Sequence, residues 1–376
     1  MIFPQIPYFD LTMAPKELKD KWKEAAAKVI DKGIFIGGSE QEKFEKAWSE
    51  INSTKHSIAV GNGYDGLVLA LKGIGIGKGD RVAVPAHTFI ATWTAVKAVG
   101  AEAIGVDVNR FGLLDELELT KINGKVSAVI PVHIHGAVAN MQEIINWAKS
   151  KNVRVIEDSS QAHGTDFESY RSNSQVDASV FSLYPTKNLG ALGDAGVVTT
   201  NNDAFADSIR SQRNYGSKRT NKYEYENLGV NSRLDELQAA VLNINLLHLQ
   251  EWNSRRIEIK KMYLSRLSEK VHFIQGEEIK TVAHHIPILV SDRDLVRERL
   301  LNRGIGTEVH YPRVAAHEYN QLLGLPQDEY PISEAIAKNT MSLPVSPWHT
   351  NSQIEMVCEA LLEVVENNKV PDWILE

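Results

Sequence analysis

A single cysteine, Cys358, stands in the 376 residues, so the chain has no intramolecular disulfide and no cysteine-built metal cluster. No apolar run approaches the roughly 20 residues needed to span a bilayer. Pro and Asp come too early in MIFPQIPYFDLTMAPKELKD for a secretory leader. Basic residues are not in excess, with 41 Lys and Arg against 48 Asp and Glu and a net charge of −7. That balance argues against nucleic acid or an anionic membrane as the main partner. There is also no internal repeat and no low-complexity segment. These absences leave an enzyme-sized globular protein, expected in the cytoplasm.

What is present is an alternation of short apolar strands and helices. Strands are predicted at His56–Val60, Arg81–Pro85, Ala103–Val108, Val126–Val132 and Val153–Glu157. Helical stretches at Gly66–Lys72, Ile90–Val99 and Asn140–Lys151 separate most of them, after an amphipathic helix over about residues 15–31 and a second starting near Ser39. Such a rhythm predicts an α/β fold with a mostly parallel sheet covered on both faces. Two further strands, Ala178–Leu183 and Ala195–Thr200, bracket a glycine-rich loop. From Arg233 to about Glu269 neither Pro nor Gly interrupts the helical spacing, so one long helix or two end to end are expected. We place a large domain at 1–245 and a smaller C-terminal α+β domain at 246–376.

The stretch IAVGNGYDG, residues 58–66, contains G-x-G-x-x-G at Gly61, Gly63 and Gly66. A nicotinamide-binding fold needs an acid at the carboxyl end of the next strand, about 20 residues on. Here Asp80 falls before the strand RVAVPA, at its wrong end. The fingerprint therefore fails in context. The loop is either a plain tight turn or a cradle for another phosphate, held by backbone amides at a helix N-terminus.

Two other stretches carry chemistry. VIEDSSQAHG, 155–164, sets Asp158 at the carboxyl end of an apolar strand, where open α/β sheets bind ligands. FSLYPTKNLGALGDAG, 181–196, sets Ser182 and Lys187 on a turn into the glycine-rich loop. Taken singly, these residues are ordinary strand, cap and surface positions. Together, an acid and a lysine on neighbouring strand ends suit pyridoxal phosphate: the lysine attaches it, the acid pairs with the pyridinium nitrogen, and a cradle takes the phosphate.

The chain resembles the sugar aminotransferases of the DegT/DnrJ/EryC1/StrS family, which have the aspartate aminotransferase fold (fold type I). The blocks that carry the likeness are GNGYDGLVLAL, VPAHTFIATWTAVKAVGA, EDSSQAHG, YPTKNLGALGDAG, RNYGS, GVNSRLDELQAAVL, HYP and SLPVSP, nearly end to end. The resemblance implies that Lys187 is the catalytic lysine and that Asp158 keeps the ring nitrogen protonated. It implies that Gln161 packs against the ring, Phe89 stacks on its other face, and Ser182 binds phosphate with the backbone of Gly63, Tyr64 and Asp65. Asn231 would reach the cofactor of a neighbouring subunit, which implies a homodimer with shared sites. Taken without the resemblance, Phe89 reads rather as core and Asn231 as a helix cap. His163 is expected to be structural, and His133 and His135 to bind no metal. Tyr64, His135, Ser159 and Ser160 depart from the family's usual residues.

Lys187 argues against the relatives that replace this lysine by histidine and dehydrate keto sugars. Among the aminating members, HTFIATWTAV, RNYGSKR, LLHLQEWNSRR and GIGTEVHYPRVAAH resemble dTDP-3-amino-3,6-dideoxyhexose transaminases. This implies transfer from L-glutamate to the C-3 ketone of a dTDP-linked 3-keto-6-deoxyhexose, with amination at C-4 of a 4-keto sugar as the alternative. Tyr184, Tyr215, His310, Tyr311 and His317 are the expected sugar and nucleotide contacts. A non-catalytic sensor that merely keeps the fold is the rival of another class, and the intact Asp158, Gln161, Ser182 and Lys187 set argues against it.

Overall fold

A computed structural model describes residues 5–165, 176–218 and 220–365. Its strands are β1 (His56–Val60), β2 (Arg81–Pro85), β3 (Glu102–Val106), β4 (Ala128–Val129), β5 (Arg154–Asp158), β6 (Ala178–Ser182) and β7 (Gly196–Thr200). Among the described residues these form one sheet in the order β1-β7-β6-β5-β4-β2-β3. Only β7 runs against its neighbours, pairing antiparallel with both β1 and β6. The strand that leads into the glycines, β1, is thus an edge strand on an antiparallel partner. The first strand of a dinucleotide fold sits inside a parallel sheet, which is a second reason the fingerprint fails.

The helices are α1 (Lys16–Lys32), α2 (Ser39–Ile51), α3 (Gly63–Gly73), α4 (Ile90–Ala98), α5 (Glu116–Thr120), α6 (Met141–Lys151) and α7 (Asp203–Gln212), followed by α8 (Glu236–Leu246), α9 (Leu249–Leu267), α10 (Arg293–Asn302), α11 (Ala315–Leu323), α12 (Pro331–Asn339) and α13 (Asn351–Val364). Side chains alternate across the strands as a sheet buried on both faces requires. Val155, Phe181 and Val197 face one core with Phe44 and Trp48, while Ile156, Val180 and Val198 face the other with Leu67 and Trp93.

A short hairpin, β8 (Ser217–Lys218) with β9 (Asn221–Tyr225), follows α7. Beyond α9 the chain builds a small antiparallel sheet, β10 (His272–Phe273), β11 (Pro287–Leu289) and β12 (Thr340–Ser342). Tyr263, Ile288, Leu300 and Leu361 bury there together.

Several boundaries differ from the sequence expectation for physical reasons. The helix expected at Gly66 starts at Gly63, because Asn62 caps it by accepting the Asp65 amide at 2.8 Å. The strand expected at Val126–Val132 shortens to Ala128–Val129, since Pro131 has no amide to continue the ladder. The long helical stretch divides between Leu246 and Leu249, giving two helices end to end. At the start of α8, buried Glu236 accepts the amides of Gly38, Glu40 and Gln41 at 2.9–3.0 Å, satisfying the N-terminus of α2.

Candidate active site

The turn from β1 into α3 offers an anion cradle. With Asn62 occupying the Asp65 amide, the amides of Gly63 and Tyr64 come first in the helix, where no intrahelical partner exists. The Asp65 carboxylate is itself held, accepting the Ser232 hydroxyl at 2.6 Å. Ser232 in turn accepts the Gly61 amide at 2.9 Å. Across the turn lies Ser182, at the end of β6. A Cβ on Gly63 would stand 2.7 Å from the Ser182 Cβ, so only glycine lets the two backbones meet. The hydroxyl of Ser182 therefore sits beside the start of α3, taking only a long contact of 3.4 Å from the Tyr184 amide.

Asp158 closes β5 and is 6% exposed. Its Oδ2 accepts the Thr92 hydroxyl at 2.8 Å and its Oδ1 accepts the Ser160 amide at 3.1 Å. Both bonds fix the plane of the carboxylate. Gln161, 4% exposed, is oriented the same way. Its Oε1 accepts the His135 amide at 2.6 Å, and its Nε2 donates to the Tyr311 hydroxyl at 3.0 Å. The amide keeps a second hydrogen for a ligand. Phe89, 54% exposed at the cap of α4, faces Tyr311 with ring centroids 5.6 Å apart.

Lys187 lies on the turn after β6, its own amide donating to the Tyr184 carbonyl at 2.9 Å. Burial pushes its amine down to about 8, and the nearby Asp158 carboxylate opposes that shift only in part. A free lysine titrates near 10.4, so roughly a tenth of Lys187 is neutral at pH 7 where an ordinary lysine has under a thousandth. The next residue anchors the turn. Asn188 donates to Asn253 Oδ1 at 2.8 Å and to the Val282 carbonyl at 2.9 Å, and its own Oδ1 bonds His284 Nδ1 at 2.9 Å. Lys187 is thereby fastened to α9 and to the segment before β11.

The other expected residues fall into three groups. His310 stacks on His285 with centroids 3.6 Å apart, and burial, then Lys187, lowers its pKa to about 3. Tyr311 is raised by burial and by Asp158, so both adjoin the central group. Tyr184, Tyr215 and Asn231 are exposed, the last two sharing an edge through the Asn214–Asn231 bridge. His317 is not brought into the group: its Nε2 donates to the Asp328 carbonyl at 2.9 Å and its ring faces Tyr330.

His163 hydrogen-bonds the Ser182 carbonyl at 2.7 Å, with its ring against Trp48 and Phe181. Burial and Lys187 bring its pKa to about 3, so it supports the cradle as a neutral donor. His133 turns to Glu157 at 3.2 Å and His135 to His285 at 3.4 Å. Sequence reasoning missed Thr92, Asn188 and His284. Thr92 lies within a quoted block, yet nothing in the sequence pairs it with a carboxylate 66 residues away.

These residues fit pyridoxal phosphate: two free amides with a hydroxyl for the phosphate, a buried carboxylate for the ring nitrogen, and an amine of lowered pKa. The sheet, the site and the small C-terminal α+β unit are those of a pyridoxal-phosphate aminotransferase of fold type I. The chain belongs to the DegT/DnrJ/EryC1/StrS aminotransferase family, whose model matches residues 16–362. It is 38% identical over 370 residues, 96% of this chain and 97% of the relative, to the dTDP-3-amino-3,4,6-trideoxy-alpha-D-glucose transaminase of Streptomyces venezuelae. It is also 38% identical over 363 residues, covering 95% and 98%, to the dTDP-3-amino-3,6-dideoxy-alpha-D-galactopyranose transaminase of Aneurinibacillus thermoaerophilus. The crystal structure of S. venezuelae DesV in complex with a ketimine intermediate superposes with a TM-score of 0.92 at 37% identity, covering 97% of this chain and all of that one.

Proposed function

We propose that this aminotransferase moves the amino group of L-glutamate to the C-3 ketone of a dTDP-linked 3-keto-6-deoxyhexose. The observation that carries the reading is the near-complete match at 38% identity to two transaminases named for dTDP-3-amino sugars.

When bound, pyridoxal phosphate supplies an electron sink through which an amino group leaves one carbon and joins another. The chain's residues do the rest. The amides of Gly63 and Tyr64 and the Ser182 hydroxyl bind the phosphate, with Asp65 shaping the turn. Phe89 and Gln161 flank the ring. Asp158 holds a proton on the ring nitrogen, and Thr92 keeps that carboxylate aimed. With the cofactor bound, Lys187 would move a proton on and off the substrate carbon through its Nζ, a task suited to an amine that burial lowers to about 8. Tyr184, Tyr215, His310 and Tyr311 line the approach on the substrate side. His317 is left with no part in this reading.

The enzyme acts as a homodimer in the cytoplasm. Two features support the dimer: Asn231 is exposed on its own chain, and the apolar run Ile34, Phe35 and Ile36 stands 53%, 46% and 41% exposed. Among the described residues no helix is long and apolar enough to cross a membrane. The substrate reading is tested by offering dTDP-linked 3-keto and 4-keto 6-deoxyhexoses side by side with L-glutamate and locating the new amine by NMR. Amination at C-3 is the expected result; amination of the 4-ketone alone would replace it.

A further inference from the structure

His87 is 1% exposed in the turn between β2 and α4, two residues before Phe89. Its Nε2 stands 3.0 Å from the Tyr311 carbonyl oxygen and 3.3 Å from the Tyr311 amide nitrogen. One ring nitrogen serves only one of them: protonated it donates to the carbonyl, and bare it accepts the amide. In either state Nδ1 is buried with no partner among the described residues. Burial lowers the pKa of the ring, and the Tyr311 carbonyl and the Asp107 carboxylate oppose that only in part, so the imidazole is neutral at neutral pH. A buried polar atom left unpaired costs about 1–3 kcal/mol, which an apolar residue in this place would avoid. The ring therefore does more than pack.

What it holds is a residue beside the cofactor site. Among the described residues no backbone group bonds the Tyr311 amide or carbonyl, so the grip on that residue's backbone falls to His87. At the far end of Tyr311 the hydroxyl accepts Gln161 Nε2 at 3.0 Å, and the ring faces Phe89 with centroids 5.6 Å apart. Burial and Asp158 raise the phenol, so the hydroxyl keeps its hydrogen. Having accepted from Gln161, it has that hydrogen left to donate to a ligand.

We infer that His87 is a positioning residue for the reaction: it fixes the Tyr311 backbone so that the Tyr311 hydroxyl, braced by Gln161, donates to the keto sugar. This rests on the aminotransferase reading, with Tyr311 as a contact of the nucleotide sugar. His87 itself touches neither substrate nor cofactor in this arrangement and acts only through Tyr311.

The test compares holoenzymes carrying His87→Gln, whose amide ends near the Nε2 position, and His87→Asn, whose shorter amide ends near Nδ1 and falls short of Tyr311. Each is made in the wild type and in Tyr311→Phe, which lacks the hydroxyl. Two quantities are read. One is the concentration of dTDP-3-keto-6-deoxyglucose that half-restores the cofactor's visible band after glutamate has abolished it. The other is the calorimetric affinity for the corresponding dTDP-3-amino sugar. His87→Asn should weaken both by about 10-fold or more, and His87→Gln by no more than about threefold. Within Tyr311→Phe, His87→Asn should add less than about twofold, because the hydroxyl it serves is gone. Equal losses in the Gln and Asn variants, no loss in His87→Asn, or an Asn loss undiminished in Tyr311→Phe each overturn the inference. If His87→Asn does not fold, His87→Met takes its place on the same criteria. A wild type whose band ignores glutamate would instead count against the aminotransferase reading, and the affinities would still decide the part of His87.

Discussion

The Thr92 hydroxyl reaches from the first turn of α4 to Asp158 at the end of β5, donating to Oδ2 at 2.8 Å. Thr92 is fully buried there, and its bond helps fix the plane of the carboxylate that, in the proposed mechanism, meets the ring nitrogen. Thr92→Val keeps the shape and removes one charge-assisted bond of about 1.5–3 kcal/mol. The expected result is a fall in kcat of roughly 10- to 100-fold with cofactor content little changed. A variant as fast as wild type would remove Thr92 from the account.

Gly63 and Ser182 approach so closely that no side chain fits between them. Gly63→Ala would press its Cβ to 2.7 Å from the Ser182 Cβ, and overpacking of that kind costs about 1–3 kcal/mol. The strain falls on the phosphate cradle, so cofactor affinity should drop by about 10-fold or more, read by titrating pyridoxal phosphate into the cofactor-free protein. An unchanged affinity would show that the phosphate lies elsewhere.

The amine of Lys187 titrates near 8 because burial disfavours its charged form. In the proposed mechanism the neutral amine is the nucleophile that takes up the cofactor. Attachment of pyridoxal phosphate should therefore speed up as pH rises, close to tenfold per unit below 8, and level off above it. Stopped-flow reconstitution from pH 6 to 10 measures this. A rate still climbing tenfold per unit at pH 9.5 would mean an ordinary lysine.

Much of this site is legible in the sequence because strand ends are. Asp158 and Ser182 terminate apolar runs, and a sheet brings such ends together without any knowledge of loops. The glycines at 61–66 read as either a tight turn or a cradle, and the helix begins within them because Asn62 supplies the cap. What resists reading is tertiary. Thr92 and Asn188 work through partners 66 and 65 residues away. His317 stands close in sequence to His310 and Tyr311, but α11 directs it to the 328 segment instead. The split between α8 and α9 has no Pro or Gly to announce it.

Shared active sites are a sharp claim, because Ser232, next to Asn231, packs on its own chain's Gly61 and Asp65. Co-expressing Lys187→Ala with Asn231→Ala decides it. If Asn231 serves the partner's cofactor, each mixed dimer regains one site with both residues intact, and activity returns to roughly half of wild type per dimer. If Asn231 serves its own chain, every site stays defective and nothing is recovered.

Stability has its own probe in Glu236, whose carboxylate holds three amides of the α2 N-terminus. Glu236→Ala orphans those donors, and a loss of at least about 2 kcal/mol is expected in urea unfolding of the cofactor-free protein. A change below about 0.5 kcal/mol would mean that water replaces the cap without cost.

The most direct test is a visible spectrum through one catalytic cycle of the protein loaded with pyridoxal phosphate. L-Glutamate should abolish the cofactor's band, and after its removal dTDP-3-keto-6-deoxyglucose should restore it, with Lys187→Ala showing no turnover. A loaded enzyme whose band ignores glutamate, or a Lys187→Ala protein that still cycles, would contradict the account.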